Sequence, residues 1–421
     1  MEYQADSKIL EKNLTSRYVL PQKDMSVVIY HSIHDVSEDW NIAAPAKNIF
    51  LQKTYLQVLE DSPPNDVHFI YMLFYKKSKP IGVSIAQIGN FSADKSINEN
   101  ENEEKGKRCP FSIITDFIKS FVAKKVDIKA MVVGNALLTG EHHNIYFQDG
   151  EVTDEEECNI LNGALKLVEK ELDKKSIHIS LFYLKEYHER QRPVAQKMLI
   201  QKHKFHEFTA QPNMILNFRE GWESFDDYLA AMSSKYRVRV KRAFKKGAAI
   251  ERKDFTVDDI RKNLPKIFEL YEWIADASVF NLVKLNPDYF VGLKEKLGDD
   301  FKMTGYYIDG EFVAFFTTIK NHHELEAHFL GYNESFNRPH QMYLNILYDI
   351  IKIAFDQKCS EVVFARTALE IKSSVGAEPH QMYWYLRHRN SFSNRFLSQI
   401  VDYLNPKDEW TQRKPFKDQV K

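Results

Sequence analysis

Apolar and polar positions alternate most regularly in the second half of the chain. Met303 to Ile308 and Glu311 to Lys320 are two strand-like runs. Between them lies Asp309-Gly310, a pair that accommodates the positive φ angles of a type I′ turn, so the stretch predicts a hairpin. The polar cluster Asn321-His322-His323 then turns the chain into a third strand, Glu324 to Tyr332. Beyond the loop GYNESFNRPHQ, the residues Tyr343, Ile346, Leu347, Ile350, Ile351, Ala354 and Phe355 recur at helical spacing. They predict a helix from about Pro339 to Gln357, with Pro339 in its first turn. A short apolar strand, Glu361 to Arg366, follows.

The first half repeats this order. His68 to Tyr75 and Ile81 to Ile88 read as two strands around a Lys-Pro turn, and a third leads to Val133-Gly134-Asn135. Thr153-Asp154-Glu155-Glu156 has the form of a capping box. The helix behind it carries Ile160, Leu161, Ala164, Leu165, Val168 and Leu172 on one face, and a strand from Ile177 to Tyr183 follows. Strand–strand–strand–helix–strand thus occurs twice, without residue-level identity between the halves. The chain divides at Phe218 to Trp222, where Gly221 interrupts the pattern and Ser224 with Asp227 caps a new helix. This gives domains over 1–218 and 219–404 and a polar tail over 405–421, which wraps the surface or frays. The stretch DKSINENENEEKGKR, Asp94 to Arg108, reads as a solvated loop inside the first domain.

Composition narrows the class. Of the 421 residues, 43% are hydrophobic and 28% charged, enough apolar material for two cores in an α/β protein. The net charge of -1 gives no global field toward nucleic acid or a membrane, and DNA is not expected as a partner. Cys109, Cys158 and Cys359 are widely spaced and odd in number, which argues against a disulfide framework and for a reducing compartment. The polar N-terminus lacks a signal-peptide pattern, and no apolar run is long enough to span a bilayer. The expectation is a cytoplasmic protein, with peripheral contact at the inner face of the membrane left open.

Four stretches hold candidate chemistry. Strict alternation along Glu324 to Tyr332 puts Glu326, His328 and Tyr332 on one face, with Leu330, and Leu325, Ala327, Phe329 and Gly331 on the other. A carboxylate, an imidazole and a phenol together form an acid–base group, or else a solvated sheet face. His328, with an ordinary pKa near ~6.5, is expected to accept a proton, and Glu326 to raise its basicity. At the end of the following strand, Arg366 is suited to a phosphate or carboxylate clamp, Glu370 to a base, and Thr367 and Lys372 to binding; the alternative is an Arg–Glu pair bracing a turn. Between Lys235 and Lys253, nine basic residues accompany one acid, Glu251; Lys235, Arg239, Arg242 and Lys246 share a helical face and favour an anion over a merely solvated surface. In the first half, Asn135 and His142 occupy the region equivalent to the candidate strand end, as substrate contacts or as parts of a turn. The His142-His143 and His322-His323 pairs lack a third ligand at useful spacing, so no metal site is expected. No nucleophilic Ser or Cys motif and no Walker or Rossmann fingerprint occurs.

The repeated order of elements, with SSKYRVRVKRAFKKGAAIE from Ser233 to Glu251, then ELEAHFLGYN, MYLNILYDIIKIAF and VVFARTALEIKSSVGAEP, resembles tandem GNAT-fold acyltransferases. The likeness is to the FemAB-like or BioF2-like branch. That branch is related to Fem-type peptidoglycan aminoacyltransferases and includes bacterial ceramide-synthase-type N-acyltransferases. The resemblance implies two GNAT-like domains, each a mixed, mostly antiparallel sheet flanked by helices, with the second carrying the chemistry. It implies direct attack of an amine, sphingoid-like or amino-lipid acceptors among the options, on a thioester donor. The donor is acyl-CoA or acyl carrier protein, as a co-substrate and not a tightly bound cofactor. Typical GNAT proteins hold the coenzyme A pyrophosphate on a Gly-rich loop at a helix N-terminus, whereas Gly331 to Gln341 has a single glycine, which suits a branch with varied donors. The alternatives are an aminoacyl-tRNA-dependent Fem-type transferase, against which the lack of a heptad arm counts, and an inactive acyl- or lipid-binding scaffold.

Overall fold

The computed structural model describes residues 16–64, 67–91, 128–140, 145–209, 211–276, 284–404 and 410–419. The acidic stretch 94–108, Cys109 and His142-His143 lie outside the described residues.

Among the described residues, sixteen strands form two sheets, one of nine strands and one of seven. The first eight are β1 (Ser16–Val19), β2 (Met25–Tyr30), β3 (His68–Lys76), β4 (Lys79–Phe91), β5 (Ile128–Val133), β6 (Ile145–Phe147), β7 (Leu181–His188) and β8 (His206–Thr209). The next seven are β9 (Asn213–Asn217), β10 (Glu251–Asp254), β11 (Phe301–Ile308), β12 (Glu311–Asn321), β13 (Glu324–Tyr332), β14 (Glu361–Val363) and β15 (Glu378–His380). The last, β16 (Met382–His388), returns to the first sheet and lies between β7 and β8. The first sheet runs β1-β2-β3-β4-β5-β7-β16-β8 with β6 on β4, and the second runs β10-β11-β12-β13-β14-β9-β15. The division at 218 thus falls just after β9, which belongs to the second sheet, and the strand after 380 belongs to the first.

Each sheet holds one parallel pair, β5 with β7 and β13 with β14, and in each the connection contains a long helix: Asp154–Lys174 in the first, Met342–Asp356 in the second. The expected tandem repeat of antiparallel strands, helix and returning parallel strand is therefore present. Local signals account for much of it. Asp309 and Gly310 both take positive φ, 51° and 79°, as a type I′ turn demands. Thr153 accepts from the Glu156 backbone N–H, and the Glu156 carboxylate reaches back to Thr153, completing the capping box.

Other boundaries move. The β3–β4 turn is Lys77-Ser78, with Lys77 at φ 58°, and Pro80 sits inside β4. The strand expected from Ile177 begins at Leu181; the buried Ile177 and Ile179 lead into it. The helix expected from Pro339 is broken: Glu334–His340 forms a short helix containing Pro339, Gln341 turns left-handed at φ 50°, and Met342–Asp356 follows. Of the tail, residues 410–419 are described, and Phe416 is buried against Trp222, Tyr228 and the Gly376 turn, so this part neither frays nor merely wraps the surface.

Two cores lie within the sheets and a third joins them. The joint core combines Trp40, Phe50, Tyr55, Leu56, Leu59 and Tyr71 of the first half with Leu270, Tyr289, Phe290, Phe301 and Phe315 of the second. Helix Lys53–Asp61 meets helix Asp288–Leu297 there, close enough that a Cβ on Gly292 would lie 3.0 Å from Val58. Helix Val257–Asp276 lies as tightly on β13: a Cβ on Gly331 would stand 2.6 Å from the Leu270 carbonyl carbon and 2.7 Å from the Phe315 ring. Helix backbone cannot yield as a flexible side chain does. Gly331→Ala is expected to lower unfolding free energy by about 1–3 kcal/mol, measured as a shift in the urea midpoint at unchanged slope; an unshifted midpoint would show that the helix gives way freely.

Candidate functional site

The second parallel pair is short. Glu324, Leu325 and Glu326 pair with Glu361, Val362 and Val363, and the strands then part. Strand β14 continues toward β9, with the Phe364 N–H donating to the Met214 carbonyl (2.8 Å) and the Met214 N–H to the Ala365 carbonyl (3.1 Å). Strand β13 runs on to Tyr332, paired with β12 alone. Its residues Ala327, His328, Phe329 and Leu330 keep partial solvent exposure at the resulting opening.

A bulge decides which side chains face it. The β12–β13 register slips between Phe316 and Thr318, so Thr317 faces both His328 and Phe329. The Thr317 hydroxyl mends the ladder by accepting from the Phe329 N–H (2.9 Å), and its own proton serves the Phe329 carbonyl (3.1 Å) or His328 Nδ1 (3.3 Å). The extra residue reverses the alternation. Leu325, Ala327, Leu330 and Tyr332 pack toward the helix Met342–Asp356, while His328 and Phe329 turn to the joint core. The expectation that Tyr332 shares a face with Glu326 and His328 is thereby corrected. Tyr332 packs near Tyr343, with a ring-centroid distance of 6.2 Å, and burial pushes its hydroxyl pKa up to about 12.

His328 anchors a chain of polar groups supplied by both halves. Its Nε2 lies 3.2 Å from the Tyr289 hydroxyl, which lies 3.0 Å from the Tyr55 hydroxyl, which accepts from Asn135 Nδ2 at 3.0 Å. Asn135 is fully buried, and its Oδ1 accepts from the Leu137 N–H at 2.9 Å, so it braces its own loop. Burial pushes the His328 pKa down to about 3, and no neighbouring charge offsets it. The expected order of basicity is therefore inverted. Burial holds Glu326 well above the ordinary carboxylate range, and the fields of Glu324, Glu186 and Glu361 add to it. Glu326 also lies close enough to Tyr55 to help raise that phenol, chiefly through burial, to about 12. The Glu326 side chain has no hydrogen-bond partner among the described residues.

Strand β14 runs out into Ala365, Arg366, Thr367 and Ala368, of which all but Arg366 take positive φ. Arg366 crosses to the first half: its Nε donates to Thr139 Oγ1 at 3.1 Å and its guanidinium lies over the Trp384 ring at 4.6 Å. Lys372 is buried, donates to the Ala365 and Arg366 carbonyls, and has its pKa pushed down to about 7 by burial and then by Arg366. Thr367 is exposed, and Glu370, also exposed, pairs with Arg413 on the tail and stands apart from Glu326.

Sequence reasoning named Asn135 of the first half but missed Lys185, Glu186 and Tyr55. Strand β7 bulges where Trp384 of β16 faces both Lys185 and Glu186, and Glu186 sits at φ 61°. Both are buried. Lys185 Nζ donates to the Asn135 and Leu138 carbonyls, each at 2.7 Å, and Glu186 Oε2 accepts from the Gly140 N–H at 2.9 Å. The charged pair within the apolar run LFYLKEYH was a legible signal; Tyr55 and Tyr289 read only as helix core.

The basic helix forms as Ser234–Lys246, with Met232, Tyr236, Val240 and Ala243 buried. Ala243 sits against the start of the helix Met342–Asp356, where its carbonyl accepts from Asn345 Nδ2 at 3.1 Å. Lys235, Arg239, Lys241, Arg242, Lys245 and Lys246 have no carboxylate partner among the described residues. His323 pairs with Glu324 (3.8 Å) and Glu361 (3.9 Å), an exposed imidazole between two carboxylates on neighbouring strands. No helix among the described residues is long and apolar enough to cross a membrane.

The depressed His328 pKa has a stability consequence. An unfolded histidine titrates near ~6.5. The neutral, largely enclosed ring therefore contributes stability that is fully present above that pH and is lost as pH falls toward about 3. Urea unfolding of wild type and His328→Gln at pH 7.5 and pH 5 should show a smaller acid loss in the variant. Equal losses would mean that His328 is readily protonated in the fold.

Residues 234–381 match the family model of the acetyltransferase (GNAT) domain. Solved structures of similar shape include FemX (12% identity, covering 83% of this chain and 93% of that one, TM-score 0.49). Another is the C-terminal DUF2156 domain of a putative lysylphosphatidylglycerol synthetase from Agrobacterium fabrum (9%, 87% and 96%, 0.46). A third is a tandem GNAT protein from the clavulanic acid biosynthesis pathway (9%, 80% and 88%, 0.44). No curated protein sequence matches the chain. Residues 234–381 are thus similar to a GNAT-type acetyltransferase domain, and they share the joint core with the first half of the chain.

Proposed function

We propose that the protein is an N-acyltransferase that passes an acyl group from a thioester donor, acyl-CoA or acyl carrier protein, to an amine by direct attack. Sphingoid-like and amino-lipid acceptors fall within this class. The observation that carries the reading is the opening between β13 and β14, with the buried, unpartnered Glu326 at its base and the polar chain through His328 beside it. An attacking amine must be neutral, and a carboxylate whose proton affinity is raised by burial is a better match to an ammonium than an ordinary one. Glu326 accepts the amine proton as the C–N bond forms. The C–S bond then breaks, and the leaving thiolate takes up a proton. Beyond Glu326 no strand among the described residues pairs with β13 on the β14 side, and backbone N–H groups of that edge are available to the carbonyl oxygen as it gains charge. His328, Tyr289 and Tyr55 position the strand, and Arg366, Thr367 and Lys372 border the opening as binding groups.

Among the described residues a nucleophilic cysteine is disfavoured. Cys158 and Cys359 are buried, and burial pushes the Cys158 thiol up to about 12 and raises that of Cys359. Intact-mass analysis after incubation with acyl thioesters, without acceptor, should show no stoichiometric adduct that turns over. Glu326→Gln is expected to lower turnover by about 10²-fold or more. Because the wild-type carboxyl is held protonated to higher pH than in the unfolded chain, wild-type stability should decline as pH rises through that raised pKa, and the variant should be spared the decline. Full turnover by the variant would remove Glu326 from the chemistry.

The unpaired cationic helix Ser234–Lys246 favours a second reading, an aminoacyl-tRNA-dependent transferase. Arg239→Ala with Arg242→Ala should weaken binding of a tRNA or of coenzyme A, and should flatten its salt dependence. If only the tRNA arm responds, the second reading replaces the first; if neither does, the helix is a solvated face.

A further inference from the structure

Trp384, Glu186 and Arg366 meet where the two halves join, and each has bonding capacity that the described residues leave unused. Trp384 and Glu186 are each 5% exposed, yet Trp384 Nε1 and Glu186 Oε1 have no hydrogen-bond partner among the described residues. The nearest cation to Glu186 Oε1 is Lys185 Nζ at 3.5 Å, which already serves two carbonyls. Arg366 commits only Nε, to Thr139 at 3.1 Å; its two amino groups have no partner among the described residues. Buried polar groups are nearly always paired, so an orphaned donor and an orphaned acceptor on cross-strand neighbours mark a place kept for something else. The backbone agrees: Glu186 at φ 61° and Thr367, next in sequence to Arg366, at φ 68° are costly conformations for non-glycine residues.

The unused groups are of two kinds. The Arg366 amino groups and the Trp384 N–H are donors, and the Arg366 guanidinium is held over the Trp384 ring at 4.6 Å; a guanidinium can meet a planar anion with two parallel bonds. Glu186 Oε1 and the unpartnered Glu326 are acceptors for an ammonium or amine. We infer that this junction holds an acceptor bearing a carboxylate close to its amine, the chemistry of a free amino acid or of an amino-acid-like terminus: the carboxylate on Arg366 and Trp384, the amine toward Glu186 and Glu326. The inference rests on reading the opening as the acceptor side of acyl transfer. It assigns Arg366 to the acceptor, not to a donor phosphate. Arg366, Trp384 and Glu186 are binding residues in this account, and the proton is taken by Glu326 as before.

The test uses the full chain without any acyl donor. Calorimetric titration compares probes that differ only in the carboxylate: glycine with methylamine, L-lysine with cadaverine, L-phenylalanine with phenethylamine. Inorganic phosphate and coenzyme A are run in parallel. At least one amino acid should bind tenfold or more tightly than its decarboxylated partner. Arg366→Gln and Trp384→Phe should each remove most of that preference, with the circular dichroism spectrum and melting temperature of the variants checked against wild type. Glu186→Gln should weaken amine and amino acid alike. Equal binding of both members of every pair, no binding of any probe, or loss only of phosphate and coenzyme A binding in Arg366→Gln would each overturn the inference. Turnover separates it from the broader reading. Selective amino-acid binding with no product from any acyl thioester would leave the site standing and remove the reaction. Acylation of the plain amines as fast as the amino acids would do the reverse.

Discussion

The hydroxyls of Tyr55 and Tyr289 meet at 3.0 Å inside an otherwise apolar core, and most of the site depends on that contact. Two phenols can be buried there only because each has a further partner: Asn135 for Tyr55, His328 for Tyr289. The four residues come from a helix and a loop of the first half and from a helix and a strand of the second. Removing any one leaves a buried polar group unpaired, which costs about 1–3 kcal/mol. The network therefore holds the halves in one alignment, beyond what the surrounding Trp40, Phe50, Phe290 and Phe315 contribute by burial.

That alignment gives each half a different task, although both contain the same strand–helix–strand unit. In the first, β5 ends at Val133 while β7 runs on to His188, and the loop over 134–140 fills the difference. Lys185 clasps that loop through the Asn135 and Leu138 carbonyls, and Glu186 through the Gly140 N–H. In the second, β13 outruns β14 by the whole stretch after Glu326, and its side chains there stay part-exposed. One parallel pair is thus closed by its own backbone and the other is open, and Glu186, which closes the first, is near enough for its field to reach Glu326 in the second.

Much of this order was legible in the chain, because it rests on local rules. The Asp309-Gly310 turn, the Thr153–Glu156 box and the bounds of Glu324 to Tyr332 follow from turn chemistry, capping and alternation. Two kinds of feature were not legible. The bulge at His328-Phe329 inserts one residue into a pattern of period two, and its cause, the Thr317 hydroxyl on the facing strand, is a pairing that no local rule reports. Tyr332 was placed with Glu326 for that reason. The return of β16 to the first sheet was equally hidden: Met382 to His388 looks like any short strand, and its position between β7 and β8 is set by contacts nearly two hundred residues away in sequence.

Burial inverted the chemistry that residue types alone suggested. An imidazole beside a carboxylate on one strand reads as a base sharpened by its neighbour, which holds where water or an ion pair stabilises the imidazolium. Here His328 is enclosed by the Tyr289, Phe301 and Phe329 rings, so protonation would bury an uncompensated charge, and the ring stays neutral. The same enclosure penalises the Glu326 carboxylate, and the field of Glu186 across the junction adds to the penalty instead of relieving it. A base that is reluctant to ionise is also one that holds a proton strongly once it has ionised, and a cation brought near would ease the ionisation. An ammonium placed between Glu186 and Glu326 supplies that cation and is the group whose proton must leave. Acceptor binding and base activation then become the same event, at a junction where Arg366 is engaged by Thr139 and Lys185, 3.5 Å from Glu186, is shared with the Asn135 and Leu138 carbonyls.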